Sequence, residues 1–122
     1  HPMIRFVHCM MRRSDVDETE FRRFWNSPEF DALNQRLATL IEPIQARRTL
    51  VLNIDENQKL MHERGGAEPF DAMLELWFDN GRALQRFNAD PGYQALMAEM
   101  EALQARFVDF SRSVRFFTEW GD

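Results

Sequence analysis

Apolar residues recur along this chain with two different spacings, and the spacing changes at recognisable punctuation. Ile4 to Met11 (IRFVHCMM) is a β-rich run without helical caps, closed by Arg12 and Arg13, and reads as a first strand. From Asp15 the period lengthens. Asp15 or Asp17 can cap a helix with an acidic first turn, and Phe21, Phe24 and Trp25 then fall at i, i+3 and i+4. Ser27-Pro28 interrupts the stripe. Proline is poor inside a helix and good at its first position, with serine before it as cap. The helix therefore kinks or restarts there, and Phe30, Leu33, Leu37 and Leu40 carry the stripe on until Pro43 ends it.

Arg47 to Ile54 (RRTLVLNI) predicts a second strand. Asp55 to Pro69 is polar and contains Gly65-Gly66. It is expected to be a long excursion between strands, with room for a short helix around Lys59–His62. Phe70 to Phe78 (FDAMLELWF) is the clearest strand in the chain. Ala83, Leu84 and Phe87 mark a short helix. Asp90-Pro91 is a cap followed by a first-position proline, and Tyr93, Leu96, Met97, Met100, Leu103, Phe107 and Phe110 predict one long helix after it. Ser113 to Trp120 (SVRFFTEW) predicts the fourth strand.

The order is β-α-β twice, with no linker composition between the halves. The expected fold class is α+β: a ferredoxin-like βαββαβ domain over residues 3–122, its four-stranded antiparallel sheet covered by helices on one face. His1-Pro2 is read as a tag remnant and excluded. The helices leave one face bare, yet both faces of the strands carry large apolar groups. Strand three sets Ala72, Leu74, Leu76 and Phe78 against Met73, Glu75 and Trp77, and strand four sets Val114, Phe116, Thr118 and Trp120 against Arg115, Phe117 and Glu119. A bare apolar face is an interaction site, and a homodimer closed through the sheet faces is its simplest cover.

Composition narrows the class further. At 122 residues the chain should bury roughly two thirds of its unfolded surface, enough for a core without disulfides. The single cysteine, Cys9, excludes a disulfide framework; with no signal peptide, it points to a cytoplasmic protein. No apolar run reaches the roughly 20 residues of a membrane span, and a net charge of −5 argues against a nucleic-acid partner. Fourteen of the fifteen cations are arginine, paired at Arg12-Arg13, Arg22-Arg23 and Arg47-Arg48 beside acidic residues, which reads as surface ion pairing rather than a basic stripe. Eleven Phe, seven Met and three Trp suit either a packed core or an adaptable cavity for a flat apolar ligand.

Several segments together resemble the EthD-domain family of the dimeric α+β barrel group. They are FVHCMMRR, ETEFRRFW, FDAMLELWFDN with RALQRF, and DPGYQALMAEMEALQARFVDFSRS leading into the last strand. The resemblance spans Met3 to Trp120 and lies in the succession of segments rather than in one motif. It implies an eight-stranded barrel across a dimer, with a cavity in each subunit between the sheet and the first helix. It also implies a role in bacterial catabolism, beside ether-degrading oxygenases or as a muconolactone isomerase. Other barrels of the group cyclise polyketides or act as cofactor-free or haem-related oxygenases. Family members commonly carry His-Gly-Pro a turn after the first-helix tryptophan. Here Asn26-Ser27-Pro28-Glu29-Phe30 follows Trp25, and Glu29 stands near the expected place of that histidine. A mechanism that uses the histidine does not carry over unchanged.

Catalytic combinations are few. There is no Gly-rich phosphate loop, and His1, His8 and His62 are not at metal-ligand spacing, so no metal or cofactor is expected. His8 and Cys9 are adjacent on a strand and point to opposite faces, which makes Cys9 a buried inert thiol. Phe78 should pack under the following helix, leaving Met73, Glu75 and Trp77 toward the barrel interior. In strand one the face of Phe6, His8 and Met10 is the expected cavity wall, with Phe24 and Trp25 lining it from the first helix. Glu75, His8 and Glu29 are the candidate proton-transfer groups. Glu75 either pairs with Arg5 or Arg115, or stays unpaired and serves as acid or base with His8 in reach. Three readings follow: a cofactor-free isomerase or lyase acting on a small apolar or ring-containing metabolite, a non-catalytic accessory protein of an oxygenase pathway, or a cofactor-independent or haem-linked oxidoreductase.

Overall fold

The computed structural model describes residues 3–121, the side chain of Arg86 excepted; His1, Pro2 and Asp122 lie outside the described residues. The elements run β1 (Met3–Met10), α1 (Glu18–Trp25), α2 (Pro28–Ile41), β2 (Gln45–Leu50), α3 (Asp55–Glu63), β3 (Ala72–Phe78), α4 (Arg82–Asn88), α5 (Pro91–Gln104) and β4 (Val114–Trp120). All strand pairs are antiparallel, and the sheet order is β2-β3-β1-β4. This is the ferredoxin-like α+β fold.

The punctuation works locally. Asp17 Oδ1 accepts from the Glu20 N–H at 2.8 Å and starts α1. Ser27 Oγ accepts from the Phe30 N–H at 3.1 Å, with Pro28 at the first turn of α2, so the helix restarts rather than kinks. Glu42, left-handed at φ 46°, ends α2 just before Pro43.

Several boundaries differ from the sequence expectation. The polar excursion holds a nine-residue helix, Asp55–Glu63, while β2 begins at Gln45 and β3 at Ala72. The two largest differences lie at the ends of β2 and α5. The second strand ends at Leu50 rather than Ile54. The Val51 N–H makes the last rung to the Asp71 carbonyl at 2.9 Å, and Leu52 and Ile54 run on into solvent without a strand to pair with. The long helix stops at Gln104, because Phe107 is needed in the core. Its carbonyl accepts from the Arg13 N–H at 3.0 Å, and Val108 bridges to Arg12, so the chain bends toward β1. Phe110 is left partly exposed in a 3₁₀ turn, Phe110–Arg112.

Register fixes the faces of the sheet. Ile4, Phe6, His8 and Met10 stand opposite Phe78, Leu76, Leu74 and Ala72, on the side where the helices pack. Met10, Phe21, Phe30 and Phe107 are the largest fully buried side chains. Phe107 meets Phe21 and Phe30 edge-on at 5.4 and 5.5 Å and stacks on Phe24 at 5.1 Å. The other face carries Arg5, Val7 and Cys9 of β1, Met73, Glu75 and Trp77 of β3, Arg47 of β2, and Val114 and Phe116 of β4. Val114 and Phe116 are exposed there, as is Phe117 on the helix side of the same edge strand.

Candidate functional site

The residues expected to form one site divide among the helix-side core, the open face of the sheet and the surface. His8 is buried on the helix side, opposite Leu74, whereas Glu75 is one residue along β3 and therefore on the other face. The expected relay between them is absent. Burial, and then the charge of Arg115 opposite it in β4, lower the His8 pKa to about 4, so the imidazole is neutral near pH 7. Phe6 leans on Phe117 at 5.3 Å, and Met10 is wholly in the core. Hence Phe6, His8 and Met10 share no cavity with Met73, Glu75 and Trp77.

Glu75 takes the paired arrangement. Its Oε2 lies 3.4 Å from Arg5 Nη1, and the Arg5 guanidinium also sits 6.0 Å from the Trp77 ring. Arg115 is on the opposite face and cannot take that place. Cys9 is buried, and its thiol is pushed up by burial first and the Glu75 charge second, which suits an inert group.

Trp25 and Phe24 belong to the same helix-side core as Met10 and Phe6. Trp25 packs in the core, 6.2 Å from Phe21 and 5.3 Å from Phe30. Phe24 stacks on Phe107, with the Arg106 guanidinium 5.0 Å from its ring. Glu29 is exposed at the start of α2 and lies 3.6 Å from Arg106. Its ion-pair partner there is Arg106, not another of the candidate acids or bases.

Two hollows stand out among the described residues. A small one of about 100 Å³ lies between α2 and the β2–β3 edge, walled by Leu37, Ala38, Leu74 and Leu76 with Asn34 and Arg48 beside them. It has room for waters more than for a ring. The larger, about 360 Å³, opens at the end of the sheet where β1 and β2 finish and β3 begins. That volume lies in the range of small-molecule sites. Met11, Phe21, Leu50 and Phe70 give it an apolar strip, and Arg12, Arg22, Arg112, Glu18, Glu68 and Asp71 give it a charged rim.

The rim is unequally held. The Arg12 N–H donates to Asp71 Oδ2 at 2.8 Å and its Nη1 donates to the Val16 carbonyl at 2.7 Å, so this arginine and Asp71 form a fixed wall. Arg22 Nε meets Glu18 Oε1 at 3.3 Å, and Glu18 also accepts from Asn53 Nδ2. Arg112 has only long contacts, 3.4 Å to Glu68 and 3.9 Å to Asp109. None of these cleft residues was among the expected site residues. Nothing in the sequence marked them: at the strand end Arg12 turns into the cleft, while its neighbour Arg13 turns out to Asp15 at 2.7 Å.

Among the described residues no three His, Cys, Asp or Glu side chains cluster as metal ligands, and no helix is long and apolar enough to cross a membrane. Among curated proteins none matches the chain. Solved structures do. A dimeric ferredoxin-like protein of unknown function from Bacteroides fragilis superposes with a TM-score of 0.62 at 17% identity, over 97% of this chain and 96% of its own. An EthD family protein from Bacillus halodurans gives 0.59 at 11% identity, over 98% and 99%. SnoaB, a cofactor-independent oxygenase from Streptomyces nogalater, gives 0.57 at 11% identity, over 100% and 96%. At these identities the likeness carries the fold, and the oxygenase activity stays with SnoaB. The EthD-domain model matches residues 13–111, most of the length, and the chain belongs to the EthD-domain family.

Proposed function

We propose that this protein is a homodimeric small-molecule-binding member of its family, which takes a ring-containing metabolite into the cleft between α1, the β2–β3 excursion and the end of β1. The observation that carries the reading is the cleft itself, with its apolar strip of Met11, Leu50 and Phe70 under a charged rim. The dimer rests on the face of Val114, Phe116 and Trp77 that the helices leave open, and similar folds are described as dimeric.

Binding is favoured over proton transfer by the three acids and bases first considered. His8 is a neutral core residue, Glu75 is tied to Arg5, and Glu29 is a surface ion-pair partner. No two of them converge on a common reacting atom. The accessory role in a catabolic pathway therefore has more support than the isomerase or oxidoreductase role.

Calorimetric titration with phenol, cyclohexanone and δ-valerolactone tests the reading. At least one should bind, and Phe70→Ala should weaken it by about tenfold through lost ring contact. Binding that Phe70→Ala leaves untouched would place the ligand elsewhere.

A further inference from the structure

We infer that the cleft selects ring compounds that carry a carboxylate, with Arg22 and Arg112 as the residues that decide it; this rests on the cleft reading above. The rim contains three arginines and three carboxylates, so its net charge favours no anion. The preference comes from how each arginine is engaged. Arg12 is committed: its backbone N–H and side chain are both bonded, and Asp71 is committed with it. Arg22 gives only its Nε to Glu18, at 3.3 Å. Arg112 is shared between Glu68 and Asp109 at 3.4 and 3.9 Å, beyond good charge-assisted geometry.

These two arginines come from different walls, α1 and the 3₁₀ turn, and both line the same hollow. Each is a planar fork whose terminal nitrogens are loosely engaged or unengaged, a shape that matches a carboxylate in two parallel hydrogen bonds. Glu68 is the partner that gives way. Its side chain keeps 70% of its exposure, so a ligand carboxylate can replace it at Arg112 while Glu68 turns into water at little cost. The apolar strip then takes the ring. Leu50 and Phe70 are half-buried and sit between the two walls, whereas Phe21 and Met11 close the floor. An anion without a ring would forgo that burial, and a ring without an anion would leave the arginines on their long internal pairs.

The test compares benzoate with benzamide, and cyclohexanecarboxylate with its amide, by calorimetry on the intact protein, with inorganic phosphate as the ringless anion. Each acid should bind about tenfold more tightly than its amide, the size of a charge-assisted hydrogen bond against a neutral one. R22Q and R112Q should each shrink that preference, and the double variant should abolish it while amide binding persists. R22K and R112K keep the charge without the fork and should recover only part of the preference. This series also reads the effect if a glutamine variant folds poorly. Equal affinity for acid and amide, a preference that survives the double variant, or phosphate binding as well as benzoate overturns the carboxylate inference and leaves the cleft reading standing. If no ring compound binds, acid or amide, both fall.

Discussion

Glu75 and Arg5 meet at 3.4 Å on the open face of the sheet although their Cα atoms are not opposite: Arg5 stands across from Trp77, and Glu75 across from Val7. The guanidinium reaches diagonally over the β1–β3 pair, passing the Trp77 ring on its way. The Glu75 side chain keeps only 15% of its exposure, so the carboxylate is held where an unpaired charge is costly. A double-mutant cycle of Glu75→Gln and Arg5→Gln, read by chemical denaturation at fixed protein concentration, should give a coupling of about 1 kcal/mol, the partial exposure of Arg5 keeping it small. A coupling of zero contradicts a structural pair.

The buried imidazole of His8 makes stability depend on pH in a definite direction. Its folded pKa, about 4, lies below the ordinary 6.5, because burial and Arg115 disfavour the charged form. The unfolded chain therefore binds the proton first. Stability from this group is complete above pH 6.5 and is lost as pH falls from 6.5 toward 4, by on the order of 2 kcal/mol after allowing for partial solvation. Melting temperatures across that window should fall more steeply in the native protein than in His8→Leu. Parallel curves contradict the assignment.

Trp25 is a core residue, not a cavity lining. Trp25→Ala should cost about 3–5 kcal/mol, by lost burial and the space left between Phe21 and Phe30. Glu29→Gln, by contrast, should change stability by no more than about 0.5 kcal/mol, since its contact to Arg106 is long and exposed. A Trp25→Ala variant that melts like the native protein contradicts the packing described here.

The exposed side chains of β4 make the oligomer testable. Sedimentation at micromolar concentration should give about twice 14.5 kDa, and Phe116→Asp should give monomers with an unchanged far-ultraviolet spectrum. A native monomer removes the sheet-face dimer.

The architecture was legible because its signals are local. Ser27-Pro28 and Asp90-Pro91 mark helix starts that hydrogen bonds then confirm, and the alternation of Ala72, Leu74, Leu76 and Phe78 names the helix face of β3 by itself. The two largest misplacements have tertiary reasons. Leu52 and Ile54 look like strand but lack a pairing partner, and Phe107 looks helical but is drawn into the core. The site was illegible for a related reason. Whether His8 and Glu75 share a face depends on the register between β1 and β3, and one residue of register reverses the answer. The cleft is assembled from residues 11–22, 50–58, 68–71 and Arg112, far apart in sequence, and its arginines resemble every other arginine in the chain until the fold separates Arg12 from Arg13.

Backbone amide shift mapping tests ligand binding in the cleft most directly. On titration of the ¹⁵N-labelled protein with phenol or benzoate, the shifted amides should be those of Met11, Arg12, Leu50, Asn53, Phe70, Asp71 and Arg112. Amides on the open sheet face, such as Glu75, and those beside the small hollow, such as Ala38, should stay in place. Shifts confined to the open face or to α2, with the cleft amides unmoved, contradict binding in the cleft.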